Sequence, residues 1–178
     1  MYLGITITKQ SSNSQSWKTI TQKIKNKLHT WGSHWLNLPG KLNLIKSVLS
    51  SYPIFLFSII LAPKSILNEI SKELRNFLWQ GGKTTGKKFN LVNWSKVLED
   101  KIIGGLGIRD PGMVNHVMGS KLVWWFIYGR KEWWKEVLWK KYLKKPRIWS
   151  LDIEWKGSGS SVWNLCKKYV GLIKDNVY

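Results

Sequence analysis

A chain of 178 residues has room for one domain with a core or for two small helical subdomains, and is short for a multidomain enzyme. Hydrophobic residues at 43% and 13 tryptophans exclude a wholly disordered chain, because disorder follows from too little apolar surface to offset chain entropy. With 29 Lys and Arg against 10 Asp and Glu the formal charge is +19, and the natural partner is a polyanion, since neutralising phosphates releases condensed counterions.

The charge is unevenly spread: no carboxylate precedes Glu69, and eight lysines lie in that acid-free opening stretch. A nucleic acid is the first expectation for their partner and an anionic membrane surface the second. The single cysteine, Cys166, excludes an internal disulfide and a multi-cysteine metal site, and His29, His34 and His116 lack companions at zinc-ligand spacing. His29 and His34 flank Trp31 and read as polar surface residues. Without a charged start followed by an apolar run and a small-residue cleavage site, no secretory signal is expected. The expectation is an intracellular protein, nuclear or cytoplasmic.

In chain order, residues 1–10 read as a short strand and a linker, followed by the Ser-rich "SSNSQS". Residues 11–80 read as an antiparallel helical bundle. Trp17, Ile20, Ile24, Leu28, Trp31 and Trp35 recur in steps of three and four, which is one helical stripe. At about 100° per residue, Lys18 and Lys25 fall along one edge of that stripe and Lys23 and Lys27 along the other, with Gln22 and Asn26 opposite. Leu38-Pro39-Gly40 reads as a turn, and Leu42, Ile45, Val48, Leu49 and Tyr52 as the next stripe. Its other side carries Asn43, Lys46, Ser47 and Ser50, residues small enough to let a helix lie close to a phosphate backbone; the spacing supports an ordinary solvated face equally well.

Pro53 is expected to restart a helix through Leu61, and Pro63 to open another with Ile66, Leu67, Ile70, Leu74, Phe77 and Leu78 on one face. The apolar run Tyr52 to Pro63 falls short of the roughly 20 residues a membrane span requires, so it reads as buried core. Residues 81–145 read as a mixed region. "GGKTTGKK" is a flexible basic loop, with Lys87 and Lys88 able to touch phosphate but without the Gly-Lys-Ser/Thr of a P-loop. "FNLVNW" and "GGLGI" read as the two strands of a small β-hairpin-like element near residues 89–108, with Asn93 capping a helix between them. Helices follow from Asp110-Pro111 and over the basic "EWWKEVLWKKYLKK". Residues 146–178 read as a linker, "GSGSS", and a closing helix with Trp163, Cys166, Val170 and Ile173 inward.

Catalytic constellations are absent. Two-metal phosphoryl chemistry needs clustered carboxylates, and the only adjacent pair, Glu99 and Asp100, stands at a helix end and reads as solvent-exposed. Neither a Gly-x-Ser-x-Gly elbow nor a His-Glu-x-x-His helix occurs. No catalytic residue, metal ligand or small-molecule substrate is assigned.

The order "YLGI", "W...I..KI...L..W", "LPGKLNLIKSVLSSYPIF", "FLWQG", "NWSKVLED", "GGLGIRD" and "LWKKYL" resembles the region after the palm in plant-type non-LTR (LINE) retrotransposon reverse transcriptases, from Tyr2 to roughly Tyr142. The resemblance implies that Tyr2, Leu3 and Gly4 are a primer-grip strand and that Trp17 to Leu61 form the thumb around a primer-template. Lys41 stands where that family has Arg, which keeps the charge but loses the bidentate fork, and Leu38-Pro39 replaces Leu-Ser, losing a helix cap. It further implies a palm with its aspartate turn upstream, a zinc-binding segment downstream, and Mg²⁺ for the full-length enzyme, with no cofactor in this chain.

The expectation is therefore a mainly α, thumb-like module without catalysis of its own that binds the backbone of an RNA or DNA duplex or hybrid through Lys18, Lys23, Lys25, Lys27, Lys41, Asn43, Lys46, Ser50, Lys87 and Lys88. Three alternatives stand beside it: part of an RNA-directed DNA polymerase whose palm and fingers are a partner polypeptide, a basic membrane-associated protein, or a retroelement relic without function.

Overall fold

The computed structural model describes residues 13–30, 36–51, 53–80, 92–130, 132–143, 155 and 157–174. The expectation of a mainly helical chain holds, and among the described residues no strand occurs. The chain divides into two units, Met1–Phe55 with Ala62–Val114, and Leu56–Leu61 with Asn115–Tyr178.

In the first unit, α1 (Asn13–Thr30) buries Trp17, Ile20, Ile24 and Leu28 of the stripe expected from steps of three and four, while Trp31 and Trp35 lie outside the described residues. Thr21, also buried, returns its hydroxyl to the Trp17 carbonyl at 2.9 Å and so leaves no orphaned donor. The helix packs on α4 (Lys64–Gln80), whose Ile70, Leu74, Phe77 and Leu78 are each about 1% exposed. Each such side chain contributes about 1.5–3 kcal/mol by leaving water. The Pro63 carbonyl accepts from Ile66 N and Leu67 N, both at 3.1 Å, and fastens the start of α4.

The turn expected at Leu38-Pro39-Gly40 is instead the first turn of α2 (Leu38–Leu44). Proline is tolerated there because a first-turn N–H has no intrahelical acceptor. The cap thought lost with the missing serine comes from Asn37, whose side-chain oxygen accepts from Gly40 N at 3.0 Å. After Leu44 the ladder widens into a π-turn, Ile45–Leu49, in which Ser50 N and Ser50 Oγ both donate to the Ile45 carbonyl, at 2.9 and 2.7 Å. Both α2 and this turn pack on α4.

The hairpin expected near 89–108 is not formed over the described part, residues 92–108. Asn93 caps α5 (Trp94–Leu98), accepting from Ser95 N at 3.2 Å, and a 3₁₀ turn (Lys101–Ile103) follows. Glycines decide the difference. Gly104 at φ 88° and Gly107 at φ 60° turn the chain left-handed, so Leu106 N and Gly107 N fold back onto the carbonyls of Val97 and Glu99, at 3.0 and 2.9 Å. The first expected strand begins in residues 89–91, which with the N-terminal strand at 1–10 lie outside the described residues.

In the second unit the helix expected from Pro53 shrinks to one turn, α3 (Ile54–Phe57), whose last residues, Leu56 and Phe57, belong to this unit. Buried Asn115 donates its side-chain amide to the Phe57 carbonyl at 3.2 Å, giving that truncated turn an acceptor's partner. Asn115 lies on α6 (Pro111–Tyr128), which is followed by α7 (Trp133–Leu138), a second π-turn (Trp139–Leu143) and α8 (Ser161–Lys174). Their core is aromatic: Trp155 stacks on Trp163 with centroids 4.8 Å apart, Trp163 on Tyr142 at 4.6 Å, and Phe126 meets Trp155 edge-on at 5.7 Å. The inward face expected for the last helix, Trp163, Cys166, Val170 and Ile173, is buried.

α6 approaches α8 closely only because residue 119 is glycine; a β-carbon there would overlap the Tyr169 ring. Overpacking costs about 1–3 kcal/mol, against about 1 kcal/mol gained by replacing a helical glycine with alanine. Gly119→Ala is therefore expected to lower the stability of urea unfolding by about 1 kcal/mol. In a Tyr169→Leu background the same change is expected to be neutral or stabilising, and a cycle without that sign change would refute the contact.

Candidate nucleic-acid interface

The lysines of α1 separate by what the fold places beside them. Lys18 and Lys27 are exposed and Lys23 is half-buried at the edge of the stripe. Gln22 Nε2 donates to Asn26 Oδ1 at 2.9 Å on the far side, a polar pair that adds no charge. Lys25 differs: its ammonium lies 2.7 Å from Glu69 Oε1 and 3.8 Å from Glu73 Oε1, both on α4. The hydrogen bond to Glu69 holds the Lys25 ammonium above its ordinary pKa, against the opposing effect of its partial burial. Lys25 is thus tied to two carboxylates, although the sequence had grouped it with the phosphate contacts. A partly exposed pair of this kind contributes about 0–1 kcal/mol.

On α2 and the π-turn, Lys41 and Lys46 are half-buried and Asn43 is exposed. The Asn43 carbonyl accepts from Ser47 Oγ at 2.7 Å, and the Ser50 hydroxyl is spent on Ile45. Lys46 meets a partner the sequence reading missed. A β-carbon built on Gly107 would stand 3.5 Å from Lys46 Nζ and 3.6 Å from Lys101 Cγ, so two lysines far apart in sequence flank one glycine. Burial first, and the Lys101 charge second, push the Lys46 ammonium below its ordinary pKa. Two cations held together this way favour any anion that comes between them. The only advance sign was the glycine run, since a side chain lying across a glycine is invisible to periodicity. Lys87, Lys88, Tyr2, Leu3 and Gly4 lie outside the described residues.

In the second unit Lys135 is 1% exposed, inside what the sequence presents as a solvated basic helix. Its ammonium donates to the Trp125 carbonyl near the end of α6 and lies 5.9 and 5.7 Å from the Trp125 and Trp134 ring centroids. A cation at a helix C-terminus and over aromatic faces is favourably placed. Burial nevertheless pushes its pKa down, and the nearby Glu132 charge only partly restores it.

Among the described residues no three His, Cys, Asp or Glu side chains come together as a metal would require. No helix among them is long and apolar enough to cross a membrane. The Tyr52–Pro63 run supplies buried Leu56, Phe57, Ile60 and Ala62 instead.

No family model matches the chain, and no solved structure matches it. It is 37% identical over 155 residues to an Arabidopsis thaliana protein named "Putative ribonuclease H protein". The match takes in 85% of this chain and 24% of that protein, so the chain spans about a quarter of the length of the curated relative. This corrects the reading of the chain as the thumb of a LINE-type reverse transcriptase. The relative is named for ribonuclease H and not for a polymerase, and the primer-template role, the retrotransposon assignment and the polymerase alternative inferred from that resemblance go with it.

Cys166, fully buried on α8, has its thiol pushed up to about 12 from an ordinary 9.0 by burial alone. The folded state therefore keeps a proton that the unfolded state releases above pH 9; the stability this represents is complete below pH 9 and lost as pH rises toward 12. The thiolate is the reactive form. At pH 8.5 an aromatic disulfide reagent is expected to modify Cys166 only at the rate of unfolding, and within seconds in 8 M urea, roughly the contrast between a buried and a free thiol. Equal rates in both conditions would refute the burial.

Proposed function

We propose that this chain is a nucleic-acid-binding helical module that grips phosphate backbones without regard to sequence, in the service of a ribonuclease H-type protein. The observation that carries the reading is the Lys46–Lys101 pair, two basic side chains that both lie against Gly107, the Lys101 charge being felt at the Lys46 ammonium. Lys18 and Lys23 on α1 extend the same positive character. The name of the Arabidopsis relative supports nucleic acid, and RNA in particular, over an anionic membrane. Lysine suits such a role, because a hydrated point charge attracts phosphate without demanding a fixed geometry. In this reading strand cleavage belongs to residues other than the described ones, among which no carboxylate cluster forms.

The reading predicts a steep salt response, each neutralised phosphate contributing about 0.9 to the slope of log K against log salt. Fluorescence anisotropy with an RNA duplex, an RNA–DNA hybrid and a DNA duplex at several salt concentrations measures it. Lys18→Gln and Lys23→Gln together are expected to lower the slope by about 2, and Lys46→Gln with Lys101→Gln by about 2. Lys25→Gln is expected to leave the slope unchanged, because Glu69 and Glu73 already neutralise that charge. A flat salt response in the parent chain, or an effect of Lys25→Gln equal to half of the Lys18/Lys23 double variant's, would overturn the assignment.

A further inference from the structure

The face of α4 turned away from its buried stripe lines a cavity of about 380 Å³ in the first unit. Asn68, Ser71, Lys72 and Arg75 follow one another at helical spacing along it, Trp94 from the start of α5 forms a second wall, and Asp110 closes the site. None of these six was singled out as a binding residue by the sequence, and the cavity is separate from the lysines of α1.

The lining is rich in donors. Lys72 brings an exposed side chain ending in an ammonium and Arg75 a guanidinium, and the same lining includes the Ser71 hydroxyl and the Asn68 amide. Two donors in this wall, Arg75 Nε and Trp94 Nε1, are buried and have no hydrogen-bond partner among the described residues. Both atoms are closed to solvent, so what the cavity itself presents is the charged and polar side chains of Lys72, Arg75, Ser71 and Asn68. The single carboxylate does not cancel the two cations: Asp110 Oδ2 already accepts from Met113 N at 2.9 Å, at the start of α6. Its other oxygen remains an acceptor suited to a hydroxyl or an N–H. Beside these polar groups stands an indole, which offers a flat apolar surface to a base.

We infer that this cavity binds a nucleotide through its phosphomonoester, with Lys72 and Arg75 on the phosphate and Trp94 beside the base. A phosphomonoester carries about −1.5 to −2 charges at pH 7 and three acceptor oxygens, which matches two cations beside a hydroxyl and an amide better than the single charge of an internal phosphodiester does. A volume of about 380 Å³ lies within the range of small-molecule sites. Two sources share this chemistry, a free mononucleotide and the phosphorylated end of a strand.

Isothermal titration of the full chain in 0.5 M salt, where backbone contacts are screened, tests the inference with AMP, CMP, GMP and UMP in turn, with the four nucleosides and with inorganic phosphate. Nucleoside monophosphates are expected to bind at least tenfold more tightly than either the nucleosides or inorganic phosphate. Lys72→Gln and Arg75→Gln are each expected to weaken monophosphate binding about tenfold with an unchanged thermal melt. Should Arg75→Gln unfold the chain, Lys72→Gln decides alone, since that side chain is exposed. A single-stranded oligonucleotide with a 5′-phosphate that competes where its 5′-hydroxyl counterpart does not assigns the site to strand ends. Competition by monophosphates alone assigns it to free nucleotides. Equal affinity for monophosphates and nucleosides, or a Lys72→Gln variant that binds as the parent does, overturns the inference.

Discussion

Burial of the Ile70, Leu74, Phe77 and Leu78 stripe of α4 against the rest of the first unit is the constraint on which the candidate interface depends. Once that stripe faces inward, a rotation of about 100° per residue leaves no choice about the other faces. Glu69 and Glu73, four residues apart, line up on the flank where Lys25 of α1 reaches both. Asn68, Ser71, Lys72 and Arg75 are carried to the opposite flank, where they line the cavity. One helix therefore removes a positive charge from the binding face on one side and assembles a donor-rich site on the other. The apolar stripe supplies most of the energy; the polar flanks contribute little to stability and much to what the surface attracts.

The second unit solves a different problem, the packing of tryptophan. Trp139, Trp155 and Trp163 are buried in a chain of stacked and edge-on rings with Phe126 and Tyr142. Planar side chains of this size pack only if something else is small, and Gly119 against Tyr169 provides the relief. Trp124, Trp125 and Trp133 are about half or more exposed. Lys135 lies against part of this second group, its stem buried and its ammonium committed to a helix-end carbonyl. In the sequence the two groups of tryptophan look alike; the distinction arises from which rings meet others across different helices.

Long helices were legible because a 3.6-residue period leaves a mark on any stretch of more than about three turns. The stripes of α1 and α4 and the inward face of α8 could be read in this way. Short elements left no such mark. "GGLGI" has the apolar and glycine content of a strand bounded by turns, and only the left-handed conformations of Gly104 and Gly107 convert it into a loop folded back on α5. Asn93 was recognisable as a cap, whereas Asn37 was hidden by the proline two residues after it. Of the candidate contacts, the tie between Lys25 and Glu69 spans 44 residues and the Lys46–Lys101 juxtaposition 55, so neither could be read from local spacing. The resemblance to a reverse transcriptase was read on the order and spacing of seven short motifs, and the relative that matches across 85% of the chain carries a different name.

The choice of cation separates two ways of holding phosphate in one unit. Of the 29 basic residues only four are arginine: Arg75, Arg109, Arg130 and Arg147. A surface meant to grip a backbone without reading it has little use for the rigid fork of a guanidinium, and the lysines of α1 fit that description. Arg109 and Arg130 are exposed, while Arg75 places a buried, unpartnered Nε in the wall of a cavity. At the proposed nucleotide site a planar group with fixed donor directions has an advantage, because a guanidinium meets phosphate oxygens with geometry as well as charge. Salt reaches an exposed ammonium within a Debye length of about 8–10 Å and screens it, but reaches a recessed guanidinium far less. On the proposed reading the lysine face of α1 loses its hold as ionic strength rises, while the α4 cavity, which engages its ligand through Arg75 and Trp94 as well as the exposed Lys72, loses less.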